Sequence, residues 1–355
     1  MQQHRLFVVL LAASAVACSS PPSQPDAPLA FASPTVGATP ATAAPSVAAV
    51  RPRIKPRPRP HPQRPARDPL TGLAPHTAPV VVIKVDNATT ARPYQRGLGA
   101  AAVVYQELVE SGATRFAAVY DNATSQEVGP IRSVRETDIA LLGPYGRVTV
   151  GFSGANKGVM RSFRQAVRAG QLLDASYDTL PGLYREGVRR VDAHNFFSTP
   201  ALLARARPGV AGRYIGFHFA RLRRGAGRAA AGVSVRFSEF SHVTVRYQRR
   251  TGRWSVRQDG QPLAAVAPAN VIIQSVRVTG SRYVDVLGSP TPYTVTVGHG
   301  PVVLLRDGRL LRGTWRRLAS RTGTRFLDDK GRDLPMKPGP TWILLQPKGQ
   351  RTTFF

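Results

Sequence analysis

The chain has 355 residues, with 49 Lys or Arg against 20 Asp or Glu, a formal net charge of +29 and a hydrophobic fraction of 42%. That fraction excludes disorder along the whole length, and the length allows two domains with cores of their own. The single cysteine, Cys18, excludes a disulfide framework and thiolate metal clusters, and no later run is apolar and long enough to be a transmembrane helix.

The first element is an export signal. Arg5 precedes an apolar run over residues 6–17, and small residues close it. Ala15-Val16-Ala17-Cys18 resembles a bacterial lipobox, so residues 1–17 are expected to be a lipoprotein signal peptide. Cys18 is then the lipidated N-terminus of an extracytoplasmic protein held at the cell membrane. Residues 18–67 form a Pro/Arg-rich disordered tether without apolar periodicity, ending in a basic run from Arg51 to Pro62. Its prolines favour polyproline II geometry, at about 3.1 Å per residue. Residues 1–67 hold eight Lys or Arg and one acid, Asp26, so +22 of the net charge falls on residues 68–355. Such a field favours anionic partners, and the preference for Arg over Lys accounts for it equally well as a compositional habit.

From Asp68 onward the sequence predicts a mixed α/β half to residue 210, followed by a mainly β half over 211–355. The β-branched run 80–85 reads as a buried strand. Residues 103–110 and 114–120 read as a strand pair, with a helix starting near Ala100 as the alternative for the first. Helices are expected over 137–142 and 157–169, a strand over 148–152, and a helix start at Thr199-Pro200. Eight short strands follow between Val233 and Leu345, punctuated by turns at Thr251-Gly252, Asp259-Gly260, Asp307-Gly308 and Lys330-Gly331. The expected fold class is α/β (α+β): layered mixed sheets with helices first, then mostly antiparallel β.

Several strings occur in a specific order. They include Asp68-Pro69-Leu70-Thr71-Gly72, Val85-Asp86-Asn87, Ala91-Arg92-Pro93, Glu110-Ser111-Gly112-Ala113-Thr114-Arg115-Phe116 and Val128-Gly129-Pro130-Ile131-Arg132-Ser133-Val134-Arg135, closing at His194-Asn195. Arg257-Gln258-Asp259-Gly260, Asn270-Val271-Ile272, Gly313-Thr314-Trp315 and Pro338-Gly339-Pro340-Thr341-Trp342 continue the series. In this order they resemble the YerB-like (DUF3048) family of bacterial lipoproteins, over nearly everything after the tether. The resemblance implies two domains in a layered α/β arrangement with two sheets, and no assigned activity. The chain departs from the family pattern at Ala101-Ala102, Ser111-Gly112 and Ala193, and lacks an aspartate shortly after Gly260.

The candidate ligand-binding residues are Asp86, Asn87, Arg92, Glu110, Arg115, Arg132, Arg135, His194 and Asn195, most of them at ends of apolar stretches. Arginines gathered from several strand ends present planar forks that grip phosphate or carboxylate bidentately. The competing arrangement is structural, with Arg115 paired to Glu107 or Glu110 and Arg135 to Asp138. Residues 151–158, Gly-Phe-Ser-Gly-Ala-Asn-Lys-Gly, follow a strand and precede a helix, a placement that brings backbone amides to an anion. Ala155 denies this loop the last glycine of a nucleophile elbow, and Lys157 is at the wrong spacing for a phosphate-binding Walker loop. The histidines are scattered, so no metal or cofactor is implied.

The reading that results is an anchored envelope protein binding an anionic ligand such as a wall polymer or lipid-linked phosphate, with nucleic acid placed out of reach by export. An enzymatic alternative is a phosphotransferase or hydrolase of pyrophosphate-linked precursors, with Asp86 or His194 as base. The third is a structural or partner-docking lipoprotein.

Overall fold

The computed structural model describes residues 67–187, 195–263, 265–284, 288 and 290–355. Cys18, the signal run, the Pro/Arg-rich stretch and His194 lie outside these residues.

The β-branched run forms the strand Val81–Asp86, buried at every position. A strand covered on both faces has no need of polar alternation. On one flank it pairs antiparallel with Thr114–Tyr120, with Val81 opposite Tyr120 and Asp86 opposite Arg115. On its other flank the sheet divides. Residues 81–83 pair in parallel with the strand Val148–Gly151, whereas Val85 meets Ile131 of the antiparallel strand Val128–Ile131. The fork opens toward the C-terminal end of Val81–Asp86.

Beyond Thr114–Tyr120 the sheet continues through Val103–Leu108 to Thr341–Pro347, which pairs with it in parallel. Asn270–Val276, Gly298–Arg306, Arg309–Arg317 and Arg325–Leu327 extend it further, so strands from both sequence halves share one 14-stranded sheet. Asp307-Gly308 makes its longest hairpin, with φ of 49° and 67° at the two turn residues, the left-handed pair that a tight hairpin requires.

Three layers result. One face of the large sheet is covered by a five-stranded antiparallel sheet, whose Val233, Val235, Val243, Val245, Trp254 and Val256 point inward. Helix α3 (Pro200–Ala206) lies on that side through Leu203 and Ala204. On the opposite face lie α1 (Glu136–Leu141) and α2 (Lys157–Arg168), the latter burying Val159, Phe163 and Ala166 at helical spacing.

The mixed α/β class, the strand pair and the two helices agree with the sequence expectation, and the helical alternative near Ala100 reduces to a single 3₁₀ turn, Leu98–Ala100. Val128–Ile131 was not anticipated, because Gly129-Pro130 reads as a turn. Proline is accommodated there because the ladder to Phe196–Ser198 is irregular between Val128 and Ile131.

Candidate anion site

Toward the open end of the fork, the helix-facing side of the sheet changes from apolar to ionic. Val82, Tyr105 and Ala117 belong to the core on that side, and two positions along the same strands stand Lys84, Glu107 and Arg115, with Asp86 beyond Lys84. Lys84 is fully buried, its Nζ 2.6 Å from Glu107 Oε1 and 2.7 Å from Asp138 Oδ1. Asp138 in turn accepts the backbone N–H of Arg135 through Oδ2 at 2.7 Å, which fixes the start of α1. Burial and the charge of Asp138 raise the Glu107 carboxyl to about 7, against the pull of Lys84.

Above this triad sit three guanidinium groups. Asp86, 2% exposed, has Oδ1 3.8 Å from Arg115 Nη2 and Oδ2 3.5 Å from Arg132 Nε. Arg132 immediately follows the strand Val128–Ile131, and its amide donates to the Lys84 carbonyl at 2.9 Å. Arg135 donates to Glu110 Oε2 from both Nε (3.1 Å) and Nη2 (2.6 Å), while the Thr291 hydroxyl donates to Glu110 Oε1. Burial alone would raise the Glu110 carboxyl; the charge and hydrogen bonds of Arg135 hold it below the usual carboxylate range.

Arg115 is different. It is 7% exposed, and two of its donors, Nε and Nη1, are buried without a hydrogen-bond partner among the described residues, where Arg132 has only Nε so placed. Burial and the nearby charge of Arg135 push its pKa down to about 9, against the pull of Asp86, so it remains cationic at neutral pH. Desolvated donors of this kind are costly unless something occupies them.

Arg115, Arg132 and Arg135 line a cleft of about 470 Å³ with Glu110, the loop 153–156, Tyr177, Asp178 and Phe196. The loop belongs to a βαβ unit: Val148–Gly151 runs into α2 and returns as Leu172–Asp174, parallel to it. Asn156 caps α2, its Oδ1 accepting the Val159 amide at 2.8 Å, and Gly154 takes a φ of +73° that favours glycine. The first turn of α2 thus lies at the cleft, where its amides carry partial positive charge.

Of the candidate residues, Asp86, Glu110, Arg115, Arg132 and Arg135 come together. Arg92 does not join the other three arginines: its Nη2 lies 2.5 Å from Asp259 and its Nε donates to the Asn87 carbonyl. Asn87 ties the interior, donating to Thr114 Oγ1 at 2.6 Å and accepting from Gln95. Asn195 is buried next to the cleft residue Phe196, and its carbonyl accepts the Gly187 amide. The structural pairing foreseen for the arginines is exchanged: Arg115 faces Asp86, Arg135 holds Glu110, and Asp138 takes Lys84.

Lys84, Tyr177, Asp178 and Phe196 were missed by sequence reasoning. A signal existed for Lys84 alone, as a charge inside a β-branched run that must be buried and therefore paired.

Residues 70–210 match the family described as "Protein of unknown function (DUF3048) N-terminal domain", and residues 233–343 match the corresponding C-terminal domain. The chain belongs to the DUF3048 family. Every residue lining the cleft falls within the DUF3048 N-terminal match. Over 87 residues the chain is 38% identical to the Bacillus subtilis (strain 168) protein named "Putative lipoprotein YerB", covering 23% of this chain and 26% of that protein. The match thus spans about a quarter of the relative's length. The crystal structure of the YerB protein from Bacillus subtilis is similar with a TM-score of 0.67 at 21% identity, over 81% of this chain and 99% of that one. At that identity the likeness is one of fold.

Proposed function

We propose that the protein is a lipid-anchored, extracytoplasmic envelope protein that binds a phosphate- or carboxylate-bearing ligand in the cleft of Arg115, Arg132 and Arg135. The observation that carries this reading is the convergence of Arg115, Arg132 and Arg135 on one cleft, Arg115 with Nε and Nη1 lacking a hydrogen-bond partner among the described residues. An anion in the cleft gains charge-assisted hydrogen bonds from the guanidinium groups that line it, stronger than neutral ones. Arg132 and the first turn of α2 add positive charge around the same space. The anchoring part of the proposal rests on the sequence around Cys18 and on the lipoprotein name of the relative.

Binding is favoured over catalysis because Asp86 is committed to two guanidinium groups, an arrangement that positions arginines rather than receives a substrate proton. The test is calorimetric titration of the purified full chain with inorganic phosphate and pyrophosphate at low ionic strength. Arg115→Met is expected to weaken binding by about tenfold or more, and Arg115→Lys to recover part of it, because charge returns without the planar guanidinium. No measurable binding by the unmodified protein, or unchanged binding by Arg115→Met, would overturn the reading. For the anchor, Cys18→Ser is expected to move the protein from the membrane fraction to the soluble fraction.

A further inference from the structure

The cleft has two unlike sets of lining side chains, and their chemistry narrows the ligand class. One set is the arginines. In the other, Tyr177 stacks on Phe196 with ring centroids 3.8 Å apart and planes at 18°, and Tyr184 meets Tyr177 edge-on at 5.8 Å. Tyr177 and Phe196 both line the cleft, and Asp178 stands exposed at the same rim.

Backbone hydrogen bonds set these two linings against each other. The Ser153 amide donates to the Arg132 carbonyl at 3.1 Å, and the Tyr177 amide donates to the Phe152 carbonyl at 2.9 Å. Phe196, stacked on Tyr177, pairs with Ile131, the residue before Arg132. The segments carrying Arg132, Ser153 and Tyr177 therefore lie side by side, with the ring pair next to an arginine. That juxtaposition suits a molecule that carries a phosphate directly on a ring.

From this we infer that the ligand is a glycosyl phosphate, with its phosphate on the arginines and its sugar ring beside Tyr177. This inference rests on the anion-site reading above. A second phosphate beyond the ring would meet Asp178, which repels it, whereas sugar hydroxyls donate to that carboxylate. An aromatic face packs on the C–H face of a pyranose, and Asn156 and Ser153 in the cleft wall supply further partners for hydroxyls. A cleft of about 470 Å³ has room for one sugar with its phosphate.

The test compares α-D-glucose 1-phosphate, inorganic phosphate, glucose and uridine monophosphate as titrants of the full chain. Glucose 1-phosphate is expected to bind about tenfold tighter than inorganic phosphate, with glucose alone far weaker than either. Asp178→Ala, an exposed substitution that leaves packing intact, is expected to reduce glucose 1-phosphate binding severalfold while phosphate binding is unchanged; Tyr177→Leu should do the same. Equal affinity for phosphate and glucose 1-phosphate, or an unaltered preference in Asp178→Ala, overturns the sugar assignment and leaves the anion site standing. Tighter binding of uridine monophosphate overturns it in favour of a nucleotide. Failure of every anion to bind removes the anion site itself.

Discussion

Asp86 and Arg115 stand directly opposite each other on neighbouring antiparallel strands, with Asp86 Oδ1 3.8 Å from Arg115 Nη2. The carboxylate holds one side of the guanidinium by charge and leaves Nε and Nη1 undirected. Cross-strand ion pairs usually close on themselves. This one is stretched because Asp86 also serves Arg132 and accepts the Ala88 amide at 3.1 Å.

Replacing Asp86 by Asn keeps an acceptor for Ala88 but removes the charge that balances two guanidinium groups. Breaking one side of a buried ion pair costs about 3–5 kcal/mol. Asp86→Asn is therefore expected to unfold at lower urea concentration than the unmodified protein. Added phosphate should restore more stability to the variant than to the parent, because an anion then replaces the lost charge. Paired urea titrations with and without phosphate measure both effects.

The triad beneath the site gives a second prediction. Lys84→Met leaves Glu107 and Asp138 facing each other in a dry interior with no cation between them. A loss of about 3–5 kcal/mol is expected at neutral pH. Adding Glu107→Gln should recover part of it above pH 7, since the glutamine stays neutral where the Glu107 carboxyl, raised to about 7 even with Lys84 present, would otherwise have to stay protonated or ionise beside Asp138. If the double variant is no more stable than Lys84→Met alone, the interaction is packing rather than charge.

How much of this was legible in the sequence depended on the range over which each signal acts. The strand at 81–86 and helix α2 follow from local β-branching and from apolar spacing, so they could be read directly. The ionic end of the sheet could be foreseen only as a set of residue types. Whether Arg135 reaches Asp138 or Glu110 is decided by the fork in the sheet, which depends on the irregular strand Val128–Ile131 pairing with Phe196–Ser198 from far along the chain. Arg92 is drawn away from the site by Asp259, 167 residues further on. Tyr177 carries no periodic signal at all, and its place at the cleft comes from a backbone bond to Phe152 and from stacking on Phe196.

Asp121 makes stability depend on pH in a way that one substitution isolates. Burial raises its carboxyl to about 7, assisted by the charge and hydrogen bond of Asp68, from an ordinary value of 3.8. A carboxyl whose pKa is raised on folding is fully stabilising below the unfolded value, and that contribution is lost as pH rises from about 4 through about 7. Asp121→Asn mimics the neutral form at every pH. The variant should melt higher than the unmodified protein above pH 7, and the gap should close toward pH 4. A gap independent of pH would show that Asp121 is ionised in the folded protein. Comparing the two proteins at each pH cancels carboxylates such as Glu110 and Asp307, whose lowered values act in the opposite sense.

The cap on α2 separates support of the site from the charge within it. Asn156 Oδ1 accepts the Val159 amide, and Asn156 Nδ2 donates to the Val284 carbonyl at 3.1 Å, tying the cleft loop to the two-stranded sheet of Val278–Val284 and Pro290–Thr294. Asn156→Ala removes both contacts and is expected to cost about 1 kcal/mol of stability, the usual loss for an N-cap. Asn156→Asp retains the cap acceptor and places a negative charge at the helix start, which favours the helix dipole. That same charge faces the arginines and competes with a bound anion. Asn156→Asp should therefore match or exceed the unmodified protein in thermal unfolding while binding inorganic phosphate severalfold more weakly. Unchanged phosphate binding in this variant would place the anion away from the first turn of α2, at the arginines alone.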